Sequence, residues 1–170
     1  MGVERRTVDL SEYPDLVVIY LGMKVRGLRG LRTLIGLGPG IQKAVAEKPD
    51  GLLLHEDFFW ELWPVHAGMR QYWRDFESLE RWARSEPHRK WWMQFLKDSG
   101  STGFWHETYF RRGGFEAIYD DLHVGYGMSR FAPTEVARGA MFGARRRAGV
   151  SGDPTVAEPL TEQELYAVAP

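Results

Sequence analysis

The chain has no cysteine, almost no net charge and no long hydrophobic run. Without cysteine there is no disulfide, no thiolate metal ligand and no cysteine nucleophile. The 22 basic and 23 acidic side chains leave a formal net charge of −1, which gives no general reason to expect a nucleic acid or a membrane surface as partner. The longest apolar run, residues 16–23, is far shorter than the ~20 residues that span a bilayer.

The first residues also lack the order of a signal peptide, because acidic side chains interrupt them from Glu4 onward. We therefore expect a cytoplasmic protein. What the chain does have is aromatic side chains, which make up 14% of its residues and include seven Trp. Such side chains suit a packed core, a subunit interface or an apolar ligand pocket. The length of 170 residues is enough for one domain with a substantial core.

Strand and helix signals alternate along the chain in the order β-α-β-β-α-β. The predicted strands cover residues 16–23, 52–59, 69–74 and 102–111, and residues 60–64 are expected to form a loop or a bulged hairpin end. A first helix is predicted over residues 26–37, with a second piece over 41–47 beyond a break that contains Gly36 and Pro39. The next helix is predicted to begin after Asp75 as N-cap, to be interrupted at Pro87 and to continue over residues 88–97.

This order predicts an α+β fold of the ferredoxin-like type, with an antiparallel sheet and helices on one face only. The other face then needs a cover, and a second copy of the chain is a common one, which gives a dimeric α+β barrel. We assign this domain to residues 15–124, after an N-terminal arm over 1–14. Residues 125–170 are predicted as a C-terminal extension. A short strand is predicted at 115–119, a helix at 133–148 and a loosely ordered tail at 151–170.

Five segments together resemble a known family of small dimeric α+β barrel proteins. They are residues 17–25, 34–40, 72–79, 87–88 and 105–109, and the blocks Tyr72-Trp-Arg-Asp-Phe-Glu-Ser-Leu79 and Trp105-His-Glu-Thr-Tyr109 are the most specific. The family is called monooxygenase-like after a fumagillin-pathway polyketide monooxygenase, and it is a relative of the antibiotic biosynthesis monooxygenases. The resemblance spans residues 16–127. It implies a homodimeric enzyme of specialised metabolism that acts on a small aromatic or polyketide-like substrate.

The resemblance leaves the cofactor open, because the wider superfamily hosts cofactor-free oxygenases as well as haem proteins such as aldoxime dehydratases. No glycine-rich loop fits a nucleotide, since residues 36–40 lie between helical pieces rather than after a strand. We expect no flavin, nicotinamide or other cofactor, with haem as the alternative. A haem enzyme of the aldoxime dehydratase or peroxidase type, and a non-catalytic ligand-binding dimer, are the two alternative functions.

His106 and Glu107 are the first candidates for catalysis, because they are adjacent in the last predicted strand and must point to opposite faces. We expect His106 to face the cleft between sheet and helices, as a general base, a hydrogen-bond donor or a haem ligand. The alternative is a histidine capped at the dimer interface. Glu107 is expected to pair with Arg70, Arg74 or Arg111, across strands or across subunits, and it takes the catalytic place if the register shifts by one residue.

His88 is the second candidate, as a catalytic residue or haem ligand, because it opens a helix that carries Trp91 and Trp92. An exposed histidine near a helix start is the plain alternative.

For each aromatic side chain among the candidate substrate-binding residues, packing in the core is the plain alternative. His55 stands beside Glu56, but neighbouring strand residues point apart, so we predict no metal site. The candidate substrate-binding residues are Tyr20, Tyr72, Arg74, Trp92, Trp105 and Tyr109.

Overall fold

The computed structural model describes residues 4–111, 115, 117, 119–120, 127–141 and 144–147. They form two compact units, one made of Asp15–Phe110 and the other of the described residues before and after it. The elements are β1 (Arg5–Val8), β2 (Val17–Val25), α1 (Leu28–Ala46), β3 (Leu52–Leu62), β4 (Val65–Trp73), α2 (Phe76–Arg84), α3 (His88–Lys97), β5 (Thr102–Phe110), β6 (Tyr119–Asp120), β7 (Thr134–Val136) and α4 (Ala144–Arg147), with short 3-10 turns at Gly127–Arg130 and Gly139–Met141.

The Asp15–Phe110 unit contains a four-stranded antiparallel sheet in the order β3-β4-β2-β5. Strand β2 lies in the middle, where its run of β-branched and aliphatic residues is paired on both edges. The elements β2, α1, β3, β4, α2–α3 and β5 follow the predicted order. The prediction of a ferredoxin-like α+β fold is therefore confirmed.

The helices of this unit contact one face of the sheet, which we call the helix face. Val17 of β2 and Trp73 of β4 form a buried cluster with Leu79 of α2, and Trp82 packs against it. Trp73 is fully buried, and burying side chains of this size stabilises a fold by about 1.5–3 kcal/mol each. Because side chains alternate along a strand, every second residue of each strand shares this face and the remainder lie on the opposite face.

The first helix differs from its prediction, since α1 runs unbroken from Leu28 to Ala46 with Pro39 inside it. A proline inside a helix removes one hydrogen bond and crowds the preceding turn, but tertiary contacts of the helix can outweigh such local preferences. Gly40 also has a packing role, because an added Cβ would lie 3.1 Å from the Trp91 ring of α3. The predicted break was therefore wrong.

The hairpin β3–β4 is longer than predicted, since both strands continue to a turn at Trp63–Pro64. A register irregularity between Phe59 and Glu61 marks the predicted bulge. The start of α2 agrees with its prediction, because the Asp75 side chain accepts a 2.7 Å hydrogen bond from the backbone N–H of Ser78. The helix over residues 88–97 has its predicted bounds.

The second unit has a three-stranded antiparallel sheet in the order β6-β1-β7. The predicted N-terminal arm therefore contributes the middle strand of a sheet. The predicted helix over residues 133–148 was wrong, because the described part contains β7, a 3-10 turn and the single turn α4. Of the predicted strand 115–119, residues 116 and 118 lie outside the described residues, 115 and 117 are not in a strand, and Tyr119 begins β6. The predicted tail 151–170 lies outside the described residues. Among the described helices, none is long and apolar enough to cross a membrane.

Candidate functional site

The helix face carries a row of four side chains from four strands, with a polar residue at each end. His106 of β5 lies opposite Leu21 of β2, Leu21 lies opposite Met69 of β4, and Met69 lies opposite Asp57 of β3. Val17 packs against α2, and Leu21 has the same parity on β2, so the whole row faces the helices. Leu21 and Met69 are only half-buried, and Asp57 and His106 are exposed, so the row is open to solvent on the side of the helices. We call this open strip the helix-face cleft.

Aromatic rings border the His106 end of this cleft. The imidazole lies 6.0 Å from the Phe104 ring, the next residue of β5 on the same face. From α3, Trp92 and Phe95 contact Phe104 at centroid distances of 5.4 and 5.7 Å. His106 itself is exposed, so a molecule in the cleft can reach its ring nitrogens. The expected direction of the His106 side chain agrees with the structure, and its role remains a prediction.

His88 occupies a different position, at the junction of α2 and α3. Its Nδ1 lies 2.8 Å from the backbone carbonyl oxygen of Ala83, and a carbonyl only accepts, so Nδ1 carries the proton. The ring packs 4.8 Å from Trp82 and 6.4 Å from Trp91. Burial lowers the pKa of His88 from its usual 6.5, against the opposing effect of the Ala83 hydrogen bond. His88 is therefore neutral at pH 7, and its Nε2 has an available lone pair.

A hydrogen-bonded chain of polar side chains lies at the other end of the cleft. The Trp73 indole N–H donates to Oε1 of Gln71 over 3.1 Å, which fixes the orientation of a carboxamide that is 1% exposed. The Gln71 Nε2 then donates to Nδ1 of His55 over 3.1 Å. The His55 Nε2–H donates in turn to Asp57 over 3.0 Å, and Gln42 of α1 donates to the second oxygen of that carboxylate.

The opposite face of the sheet holds a second cross-strand row. Arg70 donates to Glu56 from Nε and Nη2 at 2.9 and 2.6 Å, and from Nη1 to the hydroxyl of Tyr20 at 3.0 Å. Partial burial alone lowers the pKa of Arg70, but these hydrogen bonds reverse the effect and raise it. Tyr109 donates to Glu107, and this hydrogen bond raises the pKa of the Tyr109 phenol. Within the chain, Glu107 therefore has a tyrosine rather than the expected arginine as its partner.

Beside that row, three aromatic side chains lie over two glycines of adjacent strands. Trp60 stacks on His66 at 5.0 Å, and Trp105 donates from its indole nitrogen to Nε2 of His66 over 2.8 Å. A Cβ at Gly68 would lie 2.1 Å from the Trp60 ring, and one at Gly22 would lie 2.9 Å from Nε1 of Trp105. Glycine is needed at both positions because the rings approach the backbone so closely.

The predicted site residues are thus divided between two faces. His106 and Trp92 border the helix-face cleft, and His88 lies at the edge of the helices. Arg74 lies after the end of β4 and pairs with Asp50 and Asp75. The other candidates share the opposite face, namely Tyr20, Tyr72, Trp105, Glu107 and Tyr109.

Sequence reasoning missed the His55–Asp57 pair, although the alternation of strand side chains places residues two apart on one face. Within the part of the chain that the structure describes, no three histidine or acidic side chains come together as a metal site would require.

The antiparallel sheet with helices on one face defines an α+β protein of the ferredoxin-like type. Residues 16–128 match the pattern of a family described as Monooxygenase af470-like. Because this match covers more than half of the chain, the protein belongs to that family. The resemblance predicted from the sequence is confirmed. A comparison with curated proteins gives no match.

Two aldoxime dehydratases are similar to the chain among solved structures. One has a TM-score of 0.60 and 22% identity, over 78% of this chain and 39% of its own. The other, OxdRE in complex with butyraldoxime, has a TM-score of 0.67 and 21% identity, over 91% of this chain and 45% of its own. The chain thus spans less than half the length of either dehydratase. At these identities the likeness shows the fold alone.

SnoaB, a cofactor-independent oxygenase from Streptomyces nogalater, is more distant. It has a TM-score of 0.44 and 12% identity, over 58% of this chain and 94% of its own. A likeness of this strength carries no functional argument.

Proposed function

We propose that the protein is a monooxygenase-like enzyme that binds an aromatic or polyketide-like substrate in the helix-face cleft, without flavin or nicotinamide. The observation that carries the proposal is the position of His106. It is an exposed histidine at one end of a floor whose middle is apolar, next to Phe104 and the aromatic residues of α3. A flat, largely apolar molecule suits such walls, and a neutral imidazole can remove an acidic proton from a molecule bound there.

In this proposal His106 removes an acidic proton from an electron-rich substrate, which becomes a stabilised carbanion. The carbanion itself reduces molecular oxygen by one electron, and the substrate radical and superoxide then combine to a peroxide. This peroxide takes back the proton from His106 and loses water, which leaves one oxygen atom on the substrate. The protein thus supplies a base, orientation and an apolar environment. Phe104 and Trp92 offer apolar surface to the substrate on the β5 side of the cleft. Family membership supports the monooxygenase-like class, and the choice of substrate rests on the geometry of the cleft.

The test is turnover of candidate polyphenols with and without oxygen. Wild-type protein should consume substrate and oxygen together, and His106→Gln should lose most of this activity, since a positioned base contributes about 10²–10⁴-fold. His66→Gln is the matched control, because His66 lies on the opposite face of the sheet. Turnover that does not depend on oxygen would contradict the proposal. Binding without any turnover would favour the ligand-binding dimer.

The second candidate function is a haem enzyme of the aldoxime dehydratase or peroxidase type, and His88 is the observation that favours it. The Ala83 carbonyl holds the proton on Nδ1, so Nε2 is the atom that would ligate iron. Burial keeps the ring neutral, and Trp82 and Trp91 offer flat apolar surfaces. Haem would supply redox and Lewis-acid chemistry there, while these residues would orient it and exclude water.

Titration of the purified protein with haemin tests this alternative. A shifted Soret band that is lost in His88→Ala, but kept in His106→Ala, would support His88 as the ligand. An absorption spectrum equal to that of free haemin would remove the haem alternative. A band lost only in His106→Ala would transfer the ligand role to the strand histidine.

We also propose that the protein is a homodimer that pairs through the opposite face of the sheet. Several large aromatic side chains lie on this face, among them Trp105 and Tyr109. Aromatic residues of this kind are enriched at subunit interfaces. Sedimentation equilibrium measures the mass directly. A dimer should weaken when Tyr109→Glu adds a charge to this face, and a monomeric wild-type protein would contradict the proposal.

A further inference from the structure

A directed chain of hydrogen bonds ends on Asp57, and the chemistry proposed above makes no use of it. The donors run from Trp73 through Gln71 and His55 to one carboxylate oxygen. Gln42 donates to the other oxygen. Gln71 is 1% exposed and the His55 side chain 6%, whereas the Asp57 side chain is 52% exposed. Buried polar groups therefore converge on a carboxylate that other molecules can reach.

Buried polar positions of this kind are costly. A carboxamide and an imidazole lose their hydrogen bonds to water on burial. Only the hydrogen bonds that they form within the protein compensate for that loss. Apolar residues would fill positions 55 and 71 of the sheet without that cost. These hydrogen bonds hold the Asp57 carboxylate in place, and each of its oxygens accepts one hydrogen bond and keeps a further lone pair. An acceptor held in this way binds a donor with less loss of conformational entropy.

Asp57 and His106 form the two ends of the row that crosses the helix-face cleft. Three strand spacings of ~4.8 Å put the backbones of these two residues roughly 14 Å apart. Only Met69 and Leu21 lie between them in the row. The row therefore offers polar contacts at both ends of an apolar strip, which matches a long molecule with polar ends and an apolar middle.

We infer that Asp57 recognises the ligand, by accepting a hydrogen bond from a hydroxyl group at one end of a long, flat, apolar molecule. The other end of that molecule reaches His106. The substrate class is then a rigid aromatic or polyketide-like compound with a hydroxyl at each end. His55 and Gln71 are positioning residues, which act through Asp57. The inference rests on the proposed use of the helix-face cleft.

Three stilbenes test the inference by fluorescence titration of the full chain. They are stilbene itself, its derivative with one terminal hydroxyl, and its derivative with a hydroxyl at each end. Wild-type protein should bind the dihydroxy compound most tightly. Asp57→Asn should weaken that binding roughly ten- to hundredfold, the usual value of a hydrogen bond to a charged group, and leave the affinity for stilbene unchanged. Asp57 is exposed, so we expect this variant to fold.

Two further variants separate recognition from general effects on the protein. Glu61→Gln removes a carboxylate from the same strand, one that pairs with Lys24 on the opposite face, and should change no affinity. Gln42→Ala frees one oxygen of Asp57 and should weaken only the hydroxylated probes, by roughly three- to tenfold. If Gln42 had a purely structural role, its replacement would weaken the binding of all three probes equally. That result would overturn the role assigned to the hydrogen bonds that end on Asp57.

The outcomes distinguish this inference from the function on which it rests. If the stilbenes bind but Asp57→Asn binds the dihydroxy compound as tightly as wild type does, the inference about Asp57 fails. The proposal that the helix-face cleft binds the substrate is then retained. If wild-type protein binds none of the three probes, the proposed cleft fails together with the inference. Selective loss of the dihydroxy compound in Asp57→Asn supports both.

Discussion

Replacing Gly68 by alanine should destabilise the protein strongly, because the ring of Trp60 lies directly on this glycine. An added methyl carbon would be 2.1 Å from the Trp60 ring and 2.3 Å from the carbonyl oxygen of Leu21. Non-bonded carbon atoms prefer separations of about 3.5–4.0 Å, so the ring would have to move by more than an ångström. The carbonyl belongs to β2, the neighbouring paired strand, and cannot move without disturbing the sheet.

Overpacking of this kind typically costs about 1–3 kcal/mol, and the fixed carbonyl places Gly68→Ala at about 3 kcal/mol. A protein of 170 residues loses roughly 2–4 °C of melting temperature per kcal/mol, so the expected fall is roughly 6–12 °C. Thermal unfolding followed by near-ultraviolet circular dichroism measures the shift and also reports on the packing of the tryptophans.

Gly36→Ala is the matched control for the same chemical change. An added methyl there meets nothing within 4 Å, and the position lies inside α1. Alanine should therefore stabilise the protein by about 0.5–1 kcal/mol through its better helix propensity. Trp60→Leu should recover part of the loss in Gly68→Ala, because it removes the ring but not the carbonyl. Equal melting temperatures of Gly68→Ala and wild type would refute the reasoning.

Three further predictions concern the N-cap, the buried amide and His88. Asp75→Ala removes the cap of α2 and should cost about 1 kcal/mol in urea unfolding, whereas Asp75→Asn should retain most of the stability. Gln71→Leu leaves the Trp73 indole without an acceptor and should cost on the order of 2–3 kcal/mol, and adding Trp73→Phe should then cost less than it does in wild type. Because burial lowers the pKa of His88, the unfolded chain takes up a proton there at higher pH than the folded chain does. Stability should thus be unaffected above pH 6.5 and fall as the pH drops below it, and His88→Gln should lose this dependence in urea titrations between about pH 7.5 and about pH 5.5.

The order of elements was predictable because its signals are local. Runs of β-branched and aromatic residues predict strands, and Asp75 before an amphipathic segment predicts a cap. The continuity of α1 was not predictable in this way, since Gly40 is placed by its contact with Trp91, a residue about fifty positions away. Local propensity is weak wherever a tertiary contact decides the conformation.

The candidate site was predictable only in part. Alternation along β5 correctly separated His106 from Glu107, and the same rule puts Trp105 and Tyr109 on the face of Glu107 rather than in the cleft. The partner of Arg70 could not be predicted from the sequence, because it depends on the register between β3 and β4. This register sets Glu56 opposite Arg70.

The pairing in the small sheet β6-β1-β7 sets an order on the folding of the protein during its synthesis. Strand β1 pairs with Tyr119–Asp120 and Thr134–Val136, more than 110 residues later in the chain. When the ribosome has finished the Asp15–Phe110 unit, the partners of β1 have not yet been made, and a loop that long is slow to close. Strand β1 is therefore made before the Asp15–Phe110 unit but can pair only after it, and until then its backbone hydrogen-bonding groups are open to a chaperone or a protease.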